Sequence, residues 1–265
     1  MRSDKETHMS NPHGSFIWYE LMSKDPDASK KFYDDVVGWN IGPKPPGDMD
    51  YRMISASDGH IGGVLRLTDE MSAHGARPTW LGYFGVDDAD DTVARIVASG
   101  GKVLMPAWNI PDVGRIAMLT DPQGSPFYVM RGATDGTSTA FGRTTMGHVS
   151  WNELMTPDQS AALAFYGSIF GIVKSGAMHM GALGDYTFLQ HGNDGIGAMM
   201  TIPPGGRPPG WGFYFRVPDI ESAKARVLKG GGTVTQGPME VPGGEMVLSA
   251  VDPAGAAFGL VAPGK

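Results

Sequence analysis

The chain has 265 residues, 41% hydrophobic and 18% charged, so it can build globular cores and has room for two ordinary domains. Its net charge of -7 and the lack of a basic stripe argue against nucleic-acid binding. The lack of cysteine excludes disulfides, thiolate metal sites and thiol nucleophiles.

No apolar run reaches the roughly 18 residues that a membrane span needs. The opening MRSDKETHMS has no apolar region of a secretory signal, and its His8-Met9 pair reads as a cloning junction. Residues 1–10 are therefore set aside as a leader, and a cytoplasmic protein is expected. Residues 15–22 alternate and are rich in aromatic and aliphatic side chains, which predicts a strand. Asp25-Pro26-Asp27 is a helix start, Ala28, Phe32, Val36 and Val37 recur at helical spacing, and Gly38 stops the helix. Two short strands follow, around 51–55 and 61–67. The pattern then restarts with a strand at Trp80–Val86 and a helix from Asp87 to Ser99, ended by Gly100-Gly101. Strands around 102–107, 114–120 and 126–131 complete the unit.

The second half repeats the first. Trp18, Glu20, Leu21, Met22, Asp25, Phe32, Tyr33 and Gly38 match Trp151, Glu153, Leu154, Met155, Asp158, Phe165, Tyr166 and Gly171, each offset by 133 (151 − 18). Pro78, Trp80, Tyr83, Phe84, Gly100 and Asp121-Pro122 match Pro209, Trp211, Tyr214, Phe215, Gly231 and Asp252-Pro253, offset by 131 (211 − 80). So many ordered matches at nearly constant spacing mark an internal duplication. We divide the chain into a first domain at 11–132, a Gly/Thr/Ser-rich linker at 133–143 and a second domain at 144–265.

The opening strand, the helical Phe-Tyr pair with its following Gly, the Val86-Asp87-Asp88…Gly100-Gly101 stretch and Asp-Pro-x-Gly before the last strand resemble, in this order, the vicinal oxygen chelate superfamily. That superfamily holds glyoxalases, bleomycin-resistance proteins and dioxygenases. Trp-x-Glu-Leu in both copies is similar to its tandem-domain glyoxalase-like members. The resemblance implies an α+β fold of two tandem glyoxalase-like domains. Each has two βαβββ modules, with helices outside and a curved sheet forming a cup.

The resemblance also implies where a divalent metal would be held. The corresponding positions are Trp18, Leu81 and Tyr128 in the first copy and Trp151, Gly212 and Gly259 in the second, with Val64 and Met199 near the fourth. Apart from Tyr, a poor ligand, these side chains have nothing to offer Mg²⁺, Zn²⁺ or Fe²⁺. No cofactor is therefore expected. A divalent metal stays as the alternative, held by His148, His179 and His191 with Glu240 or Glu245.

Strand alternation sends Trp18, Glu20 and Met22 into the first cup with Leu81, Tyr83 and Tyr128. The second cup receives Trp151, Glu153, Met155, Gly212, Tyr214, Arg216 and Gly259. With Gly212 and Gly259 in place of Leu81 and Tyr128, the second cup is expected to be the roomier. Trp151 and Tyr214 would be its apolar walls, and Glu153 and Arg216 its polar fixtures. The tryptophans can stack on a planar ligand or plug the old metal position. Glu20 and Glu153 can serve as a general base or accept structural hydrogen bonds. Arg216 can clamp an anion, pair with Glu153 or point away. The Asp-Pro turns carry no chemistry in this reading.

The function that follows is a metal-independent small-molecule-binding protein with its ligand in the second cup, and the acidic chain suits a cationic ligand. The alternative is an enzyme of the same superfamily, a glyoxalase-like lyase or isomerase or a dioxygenase- or hydroxylase-like oxidoreductase, using Glu153 or Glu20 as base. A third reading is an interaction protein with vestigial cups. The only partner expected is the small molecule, with the protein a monomer or a homodimer.

Overall fold

The computed structural model describes residues 10–203 and 205–264, so the proposed leader falls, except for Ser10, outside the described residues. The first copy runs β1 (Phe16–Ser23), α1 (Pro26–Val37), β2 (Asn40–Ile41), β3 (Tyr51–Ala56), β4 (Gly59–Arg66), α2 (Asp69–Ala73), β5 (Thr79–Gly85), α3 (Ala89–Ala98), β6 (Lys102–Ile110), β7 (Gly114–Thr120) and β8 (Pro126–Gly132). The second runs β9 (Val149–Thr156), α4 (Gln159–Phe170), β10 (Ile172–His179), β11 (Asp185–His191), β12 (Asp194–Thr201), β13 (Gly210–Arg216), α5 (Ile220–Lys229), β14 (Thr233–Glu240), β15 (Met246–Val251) and β16 (Ala257–Ala262).

Each copy is one eight-stranded sheet. The orders are β2-β3-β4-β1-β5-β8-β7-β6 and β10-β11-β12-β9-β13-β16-β15-β14. The two opening strands of the modules pair antiparallel at the centre, β1 with β5 and β9 with β13. The fold is the α+β tandem arrangement that the resemblance implied. Two small elements escaped the hydrophobic pattern, because β2 is two residues long and α2 buries none of its side chains.

The helix signals act as read. The Asp25 carboxylate accepts from the amides of Asp27 and Ala28, Pro26 opens α1, and Gly38 closes it at φ 87°. Asp158 and Gly171, at φ 71°, do the same for α4.

Strand alternation separates two apolar regions. Tyr19, Leu21, Trp80, Phe84, Phe127 and Val129 face the helices and join one core built from both copies. Leu81, Tyr83, Met22 and Tyr128 face the cup of the first sheet and form a second, smaller cluster. Across the main core, Phe16 meets Trp211 edge-on at 5.1 Å and Tyr19 meets Phe213 at 5.1 Å. The Tyr19 hydroxyl donates to Oδ1 of Asn152, the residue at the same place in the other copy (3.0 Å).

The Asp-Pro turns do more than turn. Oδ1 of Asp121 accepts from the amides of Gln123 and Ser125, and its Oδ2 accepts from the Tyr166 hydroxyl of the other copy at 3.1 Å. Asp252 does the same with its own turn and with Tyr33 (3.1 Å). Trp80 and Trp211 complete each clasp by donating their indole N–H to Tyr33 and Tyr166, both at 3.0 Å. The two copies are thus bolted together by a pair of equivalent buried Trp–Tyr–Asp clasps.

The segment between the copies is held as well. The Ser138 hydroxyl donates to the Ile17 carbonyl at 2.6 Å, and Ala140 is buried.

Candidate functional site

The two cups start from the same frame. Glu20 lies opposite Leu81, and Tyr83 beside Tyr128, while Glu153 lies opposite Gly212, and Tyr214 beside Gly259. In each, the indole N–H of the opening strand's Trp donates to a tyrosine hydroxyl: Trp18 to Tyr51 at 2.7 Å, and Trp151 to Tyr186 at 2.8 Å. Tyr186 in turn donates to the Glu153 carboxylate at 2.8 Å. Sequence reasoning missed these tyrosines, although the Asp50-Tyr51 and Asp185-Tyr186 pairs repeat between the copies and mark them.

The first cup is filled. Tyr83 and Tyr128 stack at 4.2 Å, and Ile17, Met22, Leu67, Leu81 and Ile116 close around them. Glu20 sits at the bottom, 2% exposed, accepting from the Tyr83 hydroxyl at 2.7 Å while its Oε1 has no partner. Burial, only partly offset by the surrounding tyrosine hydroxyls, Tyr83 foremost, pushes its carboxyl up to about 7. Trp18, half-buried, packs against the same cluster, whereas Glu20 is enclosed by it. A residue so enclosed has no access to a substrate, so of the two candidate bases only Glu153 faces open space.

The second cup is a cavity of about 510 Å³, within the range of small-molecule pockets. Of the residues assigned to it from sequence, Trp151, Glu153, Met155, Gly212, Tyr214 and Gly259 line it. Met178, Met180, Met200 and Met239 add an adaptable thioether wall. The opening has a specific cause. A Cβ on Gly259 would lie 2.2 Å from the Tyr214 ring, so this glycine lets the ring lean over it. The Tyr214 hydroxyl then reaches Ser249 at 3.3 Å, whereas Tyr83, blocked by Tyr128, reaches Glu20. Burial and the nearby Glu153 charge hold the Tyr214 hydroxyl well above the usual tyrosine range, so it stays protonated.

Arg216 does not pair with Glu153. It stands level with Val261, which pairs with Val247, so Glu245 just before β15 is its neighbour. Gly212, opposite Glu153, lies four strand residues or about 13 Å away. Arg216 donates instead to Glu245 at 2.6 Å and to the Arg143 carbonyl at 3.0 Å. The cations on the cavity wall are Arg143, whose guanidinium lies 4.6 Å over the Trp151 ring, and Arg207. Sequence reasoning named neither, since both come from segments outside the strands.

The histidines stay apart. His148 is buried between the Thr139 carbonyl and Asp58 (2.7 Å), His179 pairs with Asp185 at 3.0 Å, and His191 meets the His13 carbonyl at 2.8 Å. Among the described residues no group of three or more His, Asp or Glu comes together as a metal site. The positions that would hold a divalent ion in either cup carry Trp, Leu and Tyr, or Trp and two glycines, a donor set that does not fit one.

Comparisons with known proteins agree with the tandem fold. The family model described as "Glyoxalase/Bleomycin resistance protein/Dioxygenase superfamily" matches residues 15–129 and again 145–260. A Mycobacterium tuberculosis protein named "Putative glyoxylase CFP32" is 34% identical over 253 residues, covering 94% of this chain and 95% of its own. The "Anthracycline biosynthesis protein DauV" of a Streptomyces species is 29% identical over 260 residues, covering 94% and 93%. The fold is shared with the Mn(II)-bound glyoxalase of Novosphingobium aromaticivorans (TM-score 0.64, 18% identity, 95% of this chain and 82% of that one). It is also shared with the 2,3-dioxygenase LapB of Pseudomonas sp. KL28 (TM-score 0.65, 13% identity, 96% and 94%).

Proposed function

The chain belongs to the glyoxalase/bleomycin resistance protein/dioxygenase superfamily, and on that premise we propose that it is a metal-independent small-molecule-binding protein whose ligand sits in the cup of the second copy. The observation that carries the proposal is the asymmetry between two cups of common origin. One is packed by Leu81, Tyr83 and Tyr128, and in the other Gly259 lets the Tyr214 ring lean over it beside a cavity of about 510 Å³. Packing an unused cup and opening its twin is what a protein with one organic ligand per chain requires.

The Trp151 ring and the thioethers suit a flat, apolar molecule, and the Streptomyces relative's association with anthracycline biosynthesis supports an aromatic one. The shared core supplies within one chain the pairing of domains that a dimer would otherwise give, so a monomer suffices, with a homodimer as the other possibility.

The test is calorimetric titration of naphthamide, a neutral flat aromatic, into the wild type and into Gly212→Leu, which copies the leucine of the filled cup. Binding by the wild type and its loss in the variant is expected. Equal behaviour of the two proteins would overturn the assignment.

A second reading, an enzyme using Glu153 as general base, is favoured by one feature: Tyr186 orients this carboxylate at the cavity wall. Glu153→Gln separates the two. It preserves shape and hydrogen bonding, so a binding protein keeps its affinity and an enzyme loses turnover.

A further inference from the structure

The charges on the second cup are divided unequally. Two carboxylates line it, Glu153 and Glu245. Glu245 is already claimed, by Arg216 at 2.6 Å and by Arg143 at 3.8 Å. Arg143 is further committed to the face of Trp151. Glu153 accepts from Tyr186, a neutral donor.

Arg207 stands differently. It is exposed at the cavity rim, and among the described residues it makes no hydrogen bond and no ion pair. A Cβ on Gly212 would lie 3.3 Å from its Nη2 and 3.6 Å from its Nη1. Both ends of the guanidinium fork therefore lie over Gly212, in the space that Leu81 fills in the first cup. A planar fork of donors beside apolar walls is suited to the paired oxygens of a carboxylate.

Resting on the second-cup reading above, we propose that Arg207 is the ligand's anchor and that the ligand is an amphipathic oxyanion, an aromatic or aliphatic carboxylate. Its oxygens meet the Arg207 fork over Gly212, and its apolar body lies along Met155 and Trp151. This reverses the expectation drawn from the net charge of -7, because Arg207 has no carboxylate partner while the Glu153 carboxylate is held by the Tyr186 hydroxyl.

The experiment is calorimetric titration of naphthoate and of naphthamide, equal in shape and different in charge, into the wild type, Arg207→Met and Arg143→Met. Naphthoate should bind the wild type about threefold to tenfold more tightly than naphthamide, because Arg207 is exposed and solvent screens its charge. Arg207→Met should erase that advantage by weakening naphthoate alone, and Arg143→Met should retain it. Naphthyl phosphate, run alongside, tells a carboxylate anchor from a phosphate anchor by which anion gains more.

Equal binding of naphthoate and naphthamide by the wild type, or an advantage that survives Arg207→Met, would overturn the anchor while leaving the cavity as a binding site. Failure of both probes to bind, or their undiminished binding to Gly212→Leu, would overturn the site and the anchor together.

Discussion

Replacing Glu20 by Gln probes how tightly the first cup is sealed. Enclosure raises the carboxyl from its ordinary 4.5 to about 7. At about 1.4 kcal/mol for each tenfold change in acidity, ionising Glu20 in the native state costs about 3 kcal/mol more than in the unfolded chain. The folded-state value is the higher one, so this part of the stability is fully present below pH 4.5. It is lost as pH rises through 7. Gln cannot ionise and keeps an acceptor for the Tyr83 hydroxyl. Urea unfolding at pH 4.5 and pH 8.5 measures the effect directly. The wild type should lose about 3 kcal/mol relative to Glu20→Gln between those conditions, with similar slopes for the two proteins. A constant difference between wild type and variant across the range would show that Glu20 is hydrated, and the filled-cup account would fail.

The cross-copy clasps predict that Tyr33→Phe, which strands an Asp252 oxygen and the Trp80 N–H, lowers stability by about 1–3 kcal/mol in urea unfolding. Tyr166→Phe should cost the same, and the double variant the total, because the clasps share no residue. Gly259→Ala must push the Tyr214 ring off its seat, at a cost of about 1–3 kcal/mol. A lower melting temperature together with weakened naphthamide binding is expected, and unchanged binding would mean that the lean of Tyr214 does not shape the cup.

Much of this was legible before any coordinate. The constant offset between the Trp-x-Glu-Leu motifs revealed the duplication, and period-two alternation assigned Trp18, Glu20, Leu81, Tyr83 and Tyr128 to one face because cup and core lie on opposite sides of each strand. The glycines at 212 and 259 also pointed to the roomier cup, but neither stands beside empty space: Tyr214 leans over Gly259, and the Arg207 guanidinium lies over Gly212.

What stayed hidden depends on residues far apart in the chain. Asp121 and Asp252 read as turns because their turn signals are local, while their tyrosine partners lie 45 and 219 residues away. Arg216 was left between clamping an anion, pairing with Glu153 and pointing away, because alternation predicts a face and says nothing of position along the strand, where Glu245 is the nearer carboxylate. Arg143 and Arg207 lie in connecting segments, where no periodicity shows which way a side chain turns.

An organic ligand bound without a metal is proposed for a fold that a Mn(II)-bound glyoxalase shares. The most direct test is elemental analysis of protein purified without chelator, paired with thermal melts with and without added Mn²⁺, Ni²⁺, Zn²⁺ or Fe²⁺. A metal-independent protein carries no stoichiometric metal and shows no rise in melting temperature with any of the four ions. Near one metal per chain, with a raised melting temperature on adding that ion, would contradict the proposal.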